Sequence, residues 1–334
     1  MTTRISFHAS HEQFSPRDLL QLVQSAEAAG FDAAFSSDHL QPWGGAQGHS
    51  GFVWSWLGAA LQATRRLRFS AITIPGGWRY HPVVTAHAIA TLAQMFPGRV
   101  PWVALGSGEA INERSVGTGW PGKDERDARL AEAATVIRRL LAGETVTHHG
   151  HLHVENARLW SLPETPPLLV GAALSEEGAR RVARWADGLL TTNPDLAQLK
   201  AIIAAYRSAG GEGKPLHLKV ELGWARDDET ALREAHGQWR FLLAGRRASE
   251  ELDSPEDFDA ATVAVPPAQI RKAVHVAADP ARHVAWLRER LALGLATLDL
   301  HQVGRDQAGF VETFGREVLP ALRQDIAVAE GPAP

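Results

Sequence analysis

The stretch RISFHASHEQFSPRDLLQLVQSAEAAGFDAAFSS, Arg4 to Ser37, reads as strand, helix, strand. RISFHAS is a short β-type run. In SPRDLLQLVQSAEAAG, Ser15 stands at the N-cap, Pro16 in the first turn and Gly30 just past the end, the start and stop signals of an α-helix. FDAAFSS is a second strand. A strand, a helix and a strand in such close succession make a βαβ unit, whose two strands run parallel.

The pattern continues outward. FVWSWLGAALQAT, HPVVTAHAIATLAQMF, ERDARLAEAATVIRRLLAG and SEEGARRVARWA read as helices. RLRFSAITI, VPWVALGSG, PLLVGAAL, DGLLTT, LHLKVELGWA and ATLDLHQVG read as strands, and DQAGFVETFGREVLPAL as the closing helix. About eight β–α units in succession favour the α/β class and a closed (β/α)8 TIM barrel over an open doubly wound sheet. A single domain over residues 1–334 is expected, with two excursions. One lies near 144–165, where THHGHLHVE (147–155) reads as a surface hairpin turning at Gly150 rather than as a metal tract. The other, GRRASEELDSPEDFDAAT (245–262), is an insertion, either a lid or a solvated acidic loop.

Composition narrows the chemistry. The chain is 45% apolar and 22% charged, as expected of a soluble globular protein. A net charge of -4 argues against a nucleic-acid platform. Without cysteine there is no disulfide, thiolate nucleophile or iron–sulfur cluster. No apolar run is long enough to span a bilayer, and the N-terminus lacks a signal-peptide pattern, so a cytoplasmic protein is expected. Eleven tryptophans suggest a pocket with aromatic walls, and Trp43, Trp54, Trp78 and Trp102 are the candidates.

Barrel active sites form at the C-terminal ends of the strands. That rule brings SSDHLQPW (36–43), His8 to Glu12, Ile72 to Gly77, Gly106 to Asn112 and His301 to one rim. Glu12, Asp38, His39 and Glu109 form its titratable cluster, with His39 suited to proton exchange and Glu109 to general-acid duty once buried. A metal set of His8, Asp38, His39, Glu109 and His301 is the alternative, as in metal-dependent barrel hydrolases, but the paired histidines of those enzymes are absent and no metal is expected. In ALGSGEAIN, Gly106 and Gly108 would admit a planar ring close to the backbone. In VGAALSEEGARR, small residues and Ser175 precede a helix N-terminus that could receive a phosphate, although Glu176 and Glu177 fit the helix dipole without one.

SDHLQPW and GSGEAINE together, with HASHEQFSP, AEAAGFD, RYHPVVTAHAIATL and DQAGFVETF, resemble the bacterial luciferase-like flavin and deazaflavin oxidoreductases. The resemblance is close to the branch of deazaflavin (F420)-dependent glucose-6-phosphate dehydrogenases, and at least as good to relatives presumed to use an ordinary flavin. It implies FMN or coenzyme F420 as cofactor, not resolved between the two. It implies that Asp38 hydrogen-bonds the ring, that His39 takes the substrate proton or orients the ring, and that Trp43 flanks the substrate. Glu109 would exchange a proton with the reduced ring, and Glu12 would line the pocket. Gly106, Ser107, Gly108 and Asn112 would contact the cofactor, Ile72–Thr73 would carry a non-prolyl cis peptide against it, and the loop of Gly171, Ala172, Ala173 and Ser175 would hold its phosphate.

Two departures bear on substrate. The lysines expected after strand six and near SPEDFDAATVAV for a sugar phosphate are missing; the first stretch reads TTNPDLAQLK, with Lys200 well into a helix. Two lost charged hydrogen bonds would cost about 3–6 kcal/mol. Pro75 also replaces an expected polar residue. The expectation is hydride transfer to or from a small organic substrate other than glucose 6-phosphate. The alternatives are an FMN-dependent monooxygenase fed by a flavin reductase and, further off, a metal-dependent hydrolase. A homodimer is the expected assembly.

Overall fold

The computed structural model describes residues 2–192 and 195–330; Asn193 and Pro194, within the TTNPDLAQLK stretch, lie outside them. The strands are β1 (Arg4–Ala9), β2 (Ala33–Ser37), β3 (Arg68–Thr73), β4 (Trp102–Leu105), β5 (Val146–His149), β6 (His153–Ala157), β7 (Leu168–Ala172), β8 (Gly188–Thr191), β9 (Leu216–Gly223), β10 (His275–Val276) and β11 (Thr297–Gln302). Eight of them pair in parallel in the order β1-β2-β3-β4-β7-β8-β9-β11, and β11 returns to β1. The sheet is therefore a closed (β/α)8 barrel, and closure leaves the ring without an edge for another chain to extend.

Local chemistry explains the helices. In α1 (Pro16–Ala29) the Ser15 hydroxyl accepts the Asp18 N–H, and Gly30 takes the left-handed conformation at φ 99°. Leu19, Val23 and Ala26 form its buried face at helical spacing. α2 (Val53–Ala63) and α3 (Pro82–Met95) follow β2 and β3 and contain no Asp, Glu, Lys or Arg. α4 (Ala110–Glu113) and α5 (Lys123–Leu141) follow β4, α6 (Glu176–Val182) follows β7, and α7 (Leu196–Tyr206) follows β8. After β9 come α8 (Asp228–Trp239), α9 (Arg246–Glu251) and α10 (Pro255–Thr262). α11 (Pro280–Leu291), α12 (Gln307–Thr313) and α13 (Leu319–Glu330) complete the ring. No helix among the described residues is long and apolar enough to cross a membrane.

Apolar packing falls into three bodies. The largest lies between strands and helices and contains Phe7, Phe69, Ile89, Leu140 and Phe310. A small one fills the barrel interior with Phe35, Trp102, Ala104, Val170 and Leu190. The third caps the C-terminal mouth and joins Trp43, Trp239, Phe241 and Phe258. Each such ring, fully buried, contributes roughly 1.5–3 kcal/mol.

The excursions are ordered. β5 and β6 form an antiparallel hairpin, tied to α5 where Glu132 faces His148 Nε2 at 3.0 Å and accepts the Leu152 N–H. On its surface His149 meets Glu155 at 3.4 Å and His151 lies 4.0 Å from Glu125, while the His153 ring stands edge-on to His149. The 245–262 segment is helical and attached, not a solvated loop. Phe258 of α10 is buried in the mouth cluster, and Asp259 binds Arg240 at 2.6 Å while accepting the Gly45 N–H at 2.8 Å.

Candidate active site

β2 ends at Ser37, and the next two side chains point to opposite halves of a polar centre. The Asp38 carboxylate is buried and fully engaged. One oxygen accepts the Thr73 hydroxyl at 2.9 Å; the other accepts the Tyr80 hydroxyl at 3.0 Å and lies 3.4 Å from Arg79. Burial and the Asp38 charge push the Tyr80 phenol far above its usual range, so it remains a donor.

His39 turns the other way. Its Nδ1 lies 2.6 Å from Glu12 Oε1, and Ser10 Oγ donates to Glu12 Oε2 at 2.9 Å. Burial alone would neutralise both partners, but the contact wins: Glu12 is held well below the ordinary carboxylate range, and Glu12 with Glu109 holds His39 above its ordinary value. The imidazole ring stands edge-on to Trp43 at 5.2 Å, and Trp43 stacks flat on Phe241 at 4.8 Å with Phe258 at its edge. His39 thus combines an imidazole biased toward its protonated form with an aromatic neighbour.

The GSGEAINE segment closes the other side. Asn112 is buried; its Oδ1 accepts the Leu40 and Gln41 N–H groups at 2.8 and 3.2 Å, which locks the loop carrying His39. Glu109 begins α4 and is half-buried, whereas Glu113, one turn on, is completely buried. Arg79 Nε donates to Glu113 Oε1 at 3.0 Å, and its Nη2 donates to the Asp38 carbonyl at 2.6 Å. Burial nevertheless raises Glu113 to about 7, against the pull of Arg79. Gly108 is held at φ 84°, where an added Cβ would meet Glu113, Ile74 and Trp120 at 3.0 Å, so the glycine serves this packing directly. Gly106 similarly faces Ile74, and Ser107 beside it is half-buried.

Below this layer, His8 Nδ1 contacts Asp299 at 2.8 Å and its ring stacks on His301 at 3.8 Å. Lys219 lies 3.4 Å from His301 Nδ1 and pairs with Glu221 at 2.8 Å. Burial, His8 and Lys219 keep His301 well below its ordinary value and hence neutral. Asp38, His39 and His8 each have separate partners, and among the described residues no group of three or more His, Asp or Glu is arranged to hold a metal ion.

Several sequence expectations change. The Ile72–Thr73 bond is trans, as are all described peptide bonds; both residues continue the β3–β4 ladder, opposite Ala104 and Leu105. Trp102 is not a pocket wall: as the first residue of β4 it points into the barrel, between Phe35 at 5.4 Å and His217 at 4.2 Å. Trp54 belongs to the main core, while Trp78 pairs with Trp120 at 5.1 Å. The proposed phosphate stretch spans the end of β7 and the turn into α6: Gly171 of β7 also serves packing, since an added Cβ would lie 2.6 Å from Val182, Ala172 is half-buried, Ala173 is buried, and Ser175 caps α6 by accepting the Gly178 N–H. The sequence reading did not single out Arg79, Tyr80, Glu113, Asp299 or Lys219. Only the spacing Glu109–Glu113, one helical turn, marked any of them.

Asn112 Nδ2 is buried without a hydrogen-bond partner, on the side chain whose Oδ1 holds the loop of Leu40 and Gln41, and it leaves one donor open in this centre.

Residues 1–297 match the family model described as luciferase-like monooxygenase. A protein named F420-dependent glucose-6-phosphate dehydrogenase from Beutenbergia cavernae is 35% identical over 328 residues, covering 96% of this chain and 97% of that one. Its namesake from Microbacterium testaceum is 34% identical over 334 residues, covering 97% and 98%. Among solved structures, an F420-dependent secondary alcohol dehydrogenase in complex with an F420-acetone adduct superposes with a TM-score of 0.88 at 29% identity, covering 97% of this chain and 100% of that one.

Proposed function

Because this chain belongs to the luciferase-like monooxygenase family, an oxidoreductase family, we propose that it exchanges a hydride between coenzyme F420 and a small, unphosphorylated alcohol or ketone. The observation that carries this reading is the Glu12–His39 pair beside Trp43. With Nδ1 engaged by Glu12, Nε2 is the ring nitrogen left to face a substrate oxygen. His39, held charged, gives a proton to a ketone oxygen; in the reverse direction it must first lose its proton in order to take one from an alcohol. Glu12 orients the imidazole and stabilises its charge. Trp43, Phe241 and Phe258 supply an apolar wall for the alkyl groups.

The cofactor, when bound, supplies or receives the hydride. Asp38 and Asn112 would hold the polar edge of its ring, with the Asn112 Nδ2 donor still free. Ile72, Thr73, Gly106, Ser107 and Gly108 would lie along it, and Gly171, Ala172, Ala173 and Ser175 would receive its phosphate. Glu109, the half-buried acid nearest in sequence to this loop, would exchange a proton with the ring.

An unphosphorylated substrate is favoured by Asp259. It places an acid in the α10 segment, beside Trp43, already committed to Arg240 and the Gly45 amide. α9 and α10 act as the lid over this mouth. α2 and α3 carry no Asp, Glu, Lys or Arg, and Phe52 just before α2 is exposed with Val84 and Met95 of α3, which suits a homodimer contact.

Fluorescence titration of the cofactor-free protein with F420 and with FMN tests the cofactor. Tight binding of F420, and its reduction by simple secondary alcohols but not by glucose 6-phosphate, is expected. Selective FMN binding would overturn the deazaflavin reading and point to oxygen chemistry with a flavin reductase as partner.

A further inference from the structure

Asp38 and Glu113 are buried carboxyl groups on different segments, and one guanidinium serves both. Arg79 reaches Glu113 through Nε at 3.0 Å and Asp38 through Nη1 at 3.4 Å and the backbone carbonyl at 2.6 Å. Both acids are almost inaccessible, with relative exposures of 2% and 0%. When both are ionised, Arg79 leaves one negative charge uncompensated against the cofactor-binding face. A buried, uncompensated charge is costly, and neutralising the acid by protonation removes that cost.

The other groups around Glu113 do not supply the missing positive charge. Tyr80 faces Asp38 as a neutral donor. Glu109, the residue before the same short helix, adds a further negative charge that raises Glu113. Arg114, the next residue, pairs with Asp253 at 2.8 Å instead. Arg126 of α5 packs over Trp120 and donates to the Pro121 carbonyl. His39 is committed to Glu12. Ile74 and Trp120 contribute only apolar surface near Gly108.

We propose that Glu113 is a positioning residue that takes up one proton when the anionic cofactor binds, freeing Arg79 for Asp38 and thereby setting the pH window for cofactor affinity. The inference rests on the cofactor reading above. Its thermodynamic form is linkage: if the bound state requires Glu113 to be neutral, affinity falls as pH rises through the titration of that group. The value of about 7 for this carboxyl places the fall between pH 6 and 8. A strict one-proton requirement there weakens the apparent Kd by up to about tenfold.

The experiment is titration of the full-length protein with F420 at pH 6, 7 and 8, with proton uptake followed in weakly buffered solution, for wild type and Glu113→Gln. Glutamine mimics the neutral acid. The expected result is a wild-type Kd that rises with pH, and a Glu113→Gln Kd that stays near the wild-type pH 6 value with the proton uptake lost. An unchanged pH dependence in Glu113→Gln overturns the inference alone, as does a flat wild-type profile. Binding of neither F420 nor FMN by the wild type at any pH overturns the oxidoreductase reading first and this inference with it. If Glu113→Gln fails to fold, infrared spectra of the cofactor-free wild type and Glu113→Asp decide the matter: a protonated carboxyl band must disappear as pH rises through 7, and its absence at pH 6 refutes the proposal.

Discussion

Glu12 and Glu113 are both fully buried, both touch one cationic side chain, and titrate in opposite directions. Glu12 is driven well below the carboxylate range, whereas Glu113 is raised to about 7. The difference lies in how the neighbours are shared. Glu12 has His39 at 2.6 Å and a hydroxyl from Ser10, with no competing acid bonded to that imidazole. Glu113 divides Arg79 with Asp38 and stands one turn from Glu109. Burial disfavours the ionised form in both places, and the local ratio of acids to cations decides which way each group moves.

Removing His39 breaks the first pair outright. His39→Ala is expected to lower kcat/KM for hydride transfer by about 10²–10⁴-fold in steady-state assays. Unchanged turnover would end the proton-transfer role. Arg79→Ala strands two buried carboxylates instead of one. Stability should fall by roughly 3–5 kcal/mol, read from denaturant midpoints at pH 8, with a smaller loss at pH 5 where Glu113 is already protonated.

Milder variants sharpen the contrast. Tyr80→Phe removes one donor from Asp38 and should cost roughly 1.5–3 kcal/mol, the range for a hydrogen bond to a charged group. Glu113→Gln should have the smallest effect on stability, and its sign depends on pH. The folded-state value of Glu113 lies above its free value of 4.5, so its contribution to stability falls as pH rises from there to about 7. The variant should therefore gain melting temperature relative to wild type as pH goes from 5 to 8. The Glu12–His39 pair behaves differently: the Glu12 contribution is present above pH 4.5 and lost as pH falls, and the His39 contribution is full below pH 6.5 and lost as pH rises through its raised value. A ketone-reduction rate that fails to decline on the alkaline side would contradict His39 as the donor.

This contrast also separates what was legible in the sequence from what was not. The barrel was readable because its signals are local: Ser15, Pro16 and Gly30 bound α1 as their chemistry requires. Asp38, His39 and Trp43 were readable because they are neighbours at a strand end, and Glu12 because it follows β1. Arg79 and Glu113 lie 34 residues apart, and no periodicity links them. Phe241 and Phe258 meet Trp43 only through the fold. Trp102, one of four candidate walls, packs inside the barrel because strand parity, not residue type, decides which way a side chain points. The expected cis bond at Ile72–Thr73 came from the family resemblance, and no local feature of that strand calls for it.

Trp43, the ring that meets His39, is backed from outside the barrel ring by Phe241 and by Phe258 of α10, in an apolar body distinct from the main core. In the function proposed above, the packing behind Trp43 and the proton chemistry are thus carried on different segments. Mutations between residues 240 and 262 would then shift Trp43, and with it the accepted substrates, without touching the strands that lead to Glu12, Asp38 and His39. For evolution, as for a protein engineer, this short segment is the replaceable part of the molecule.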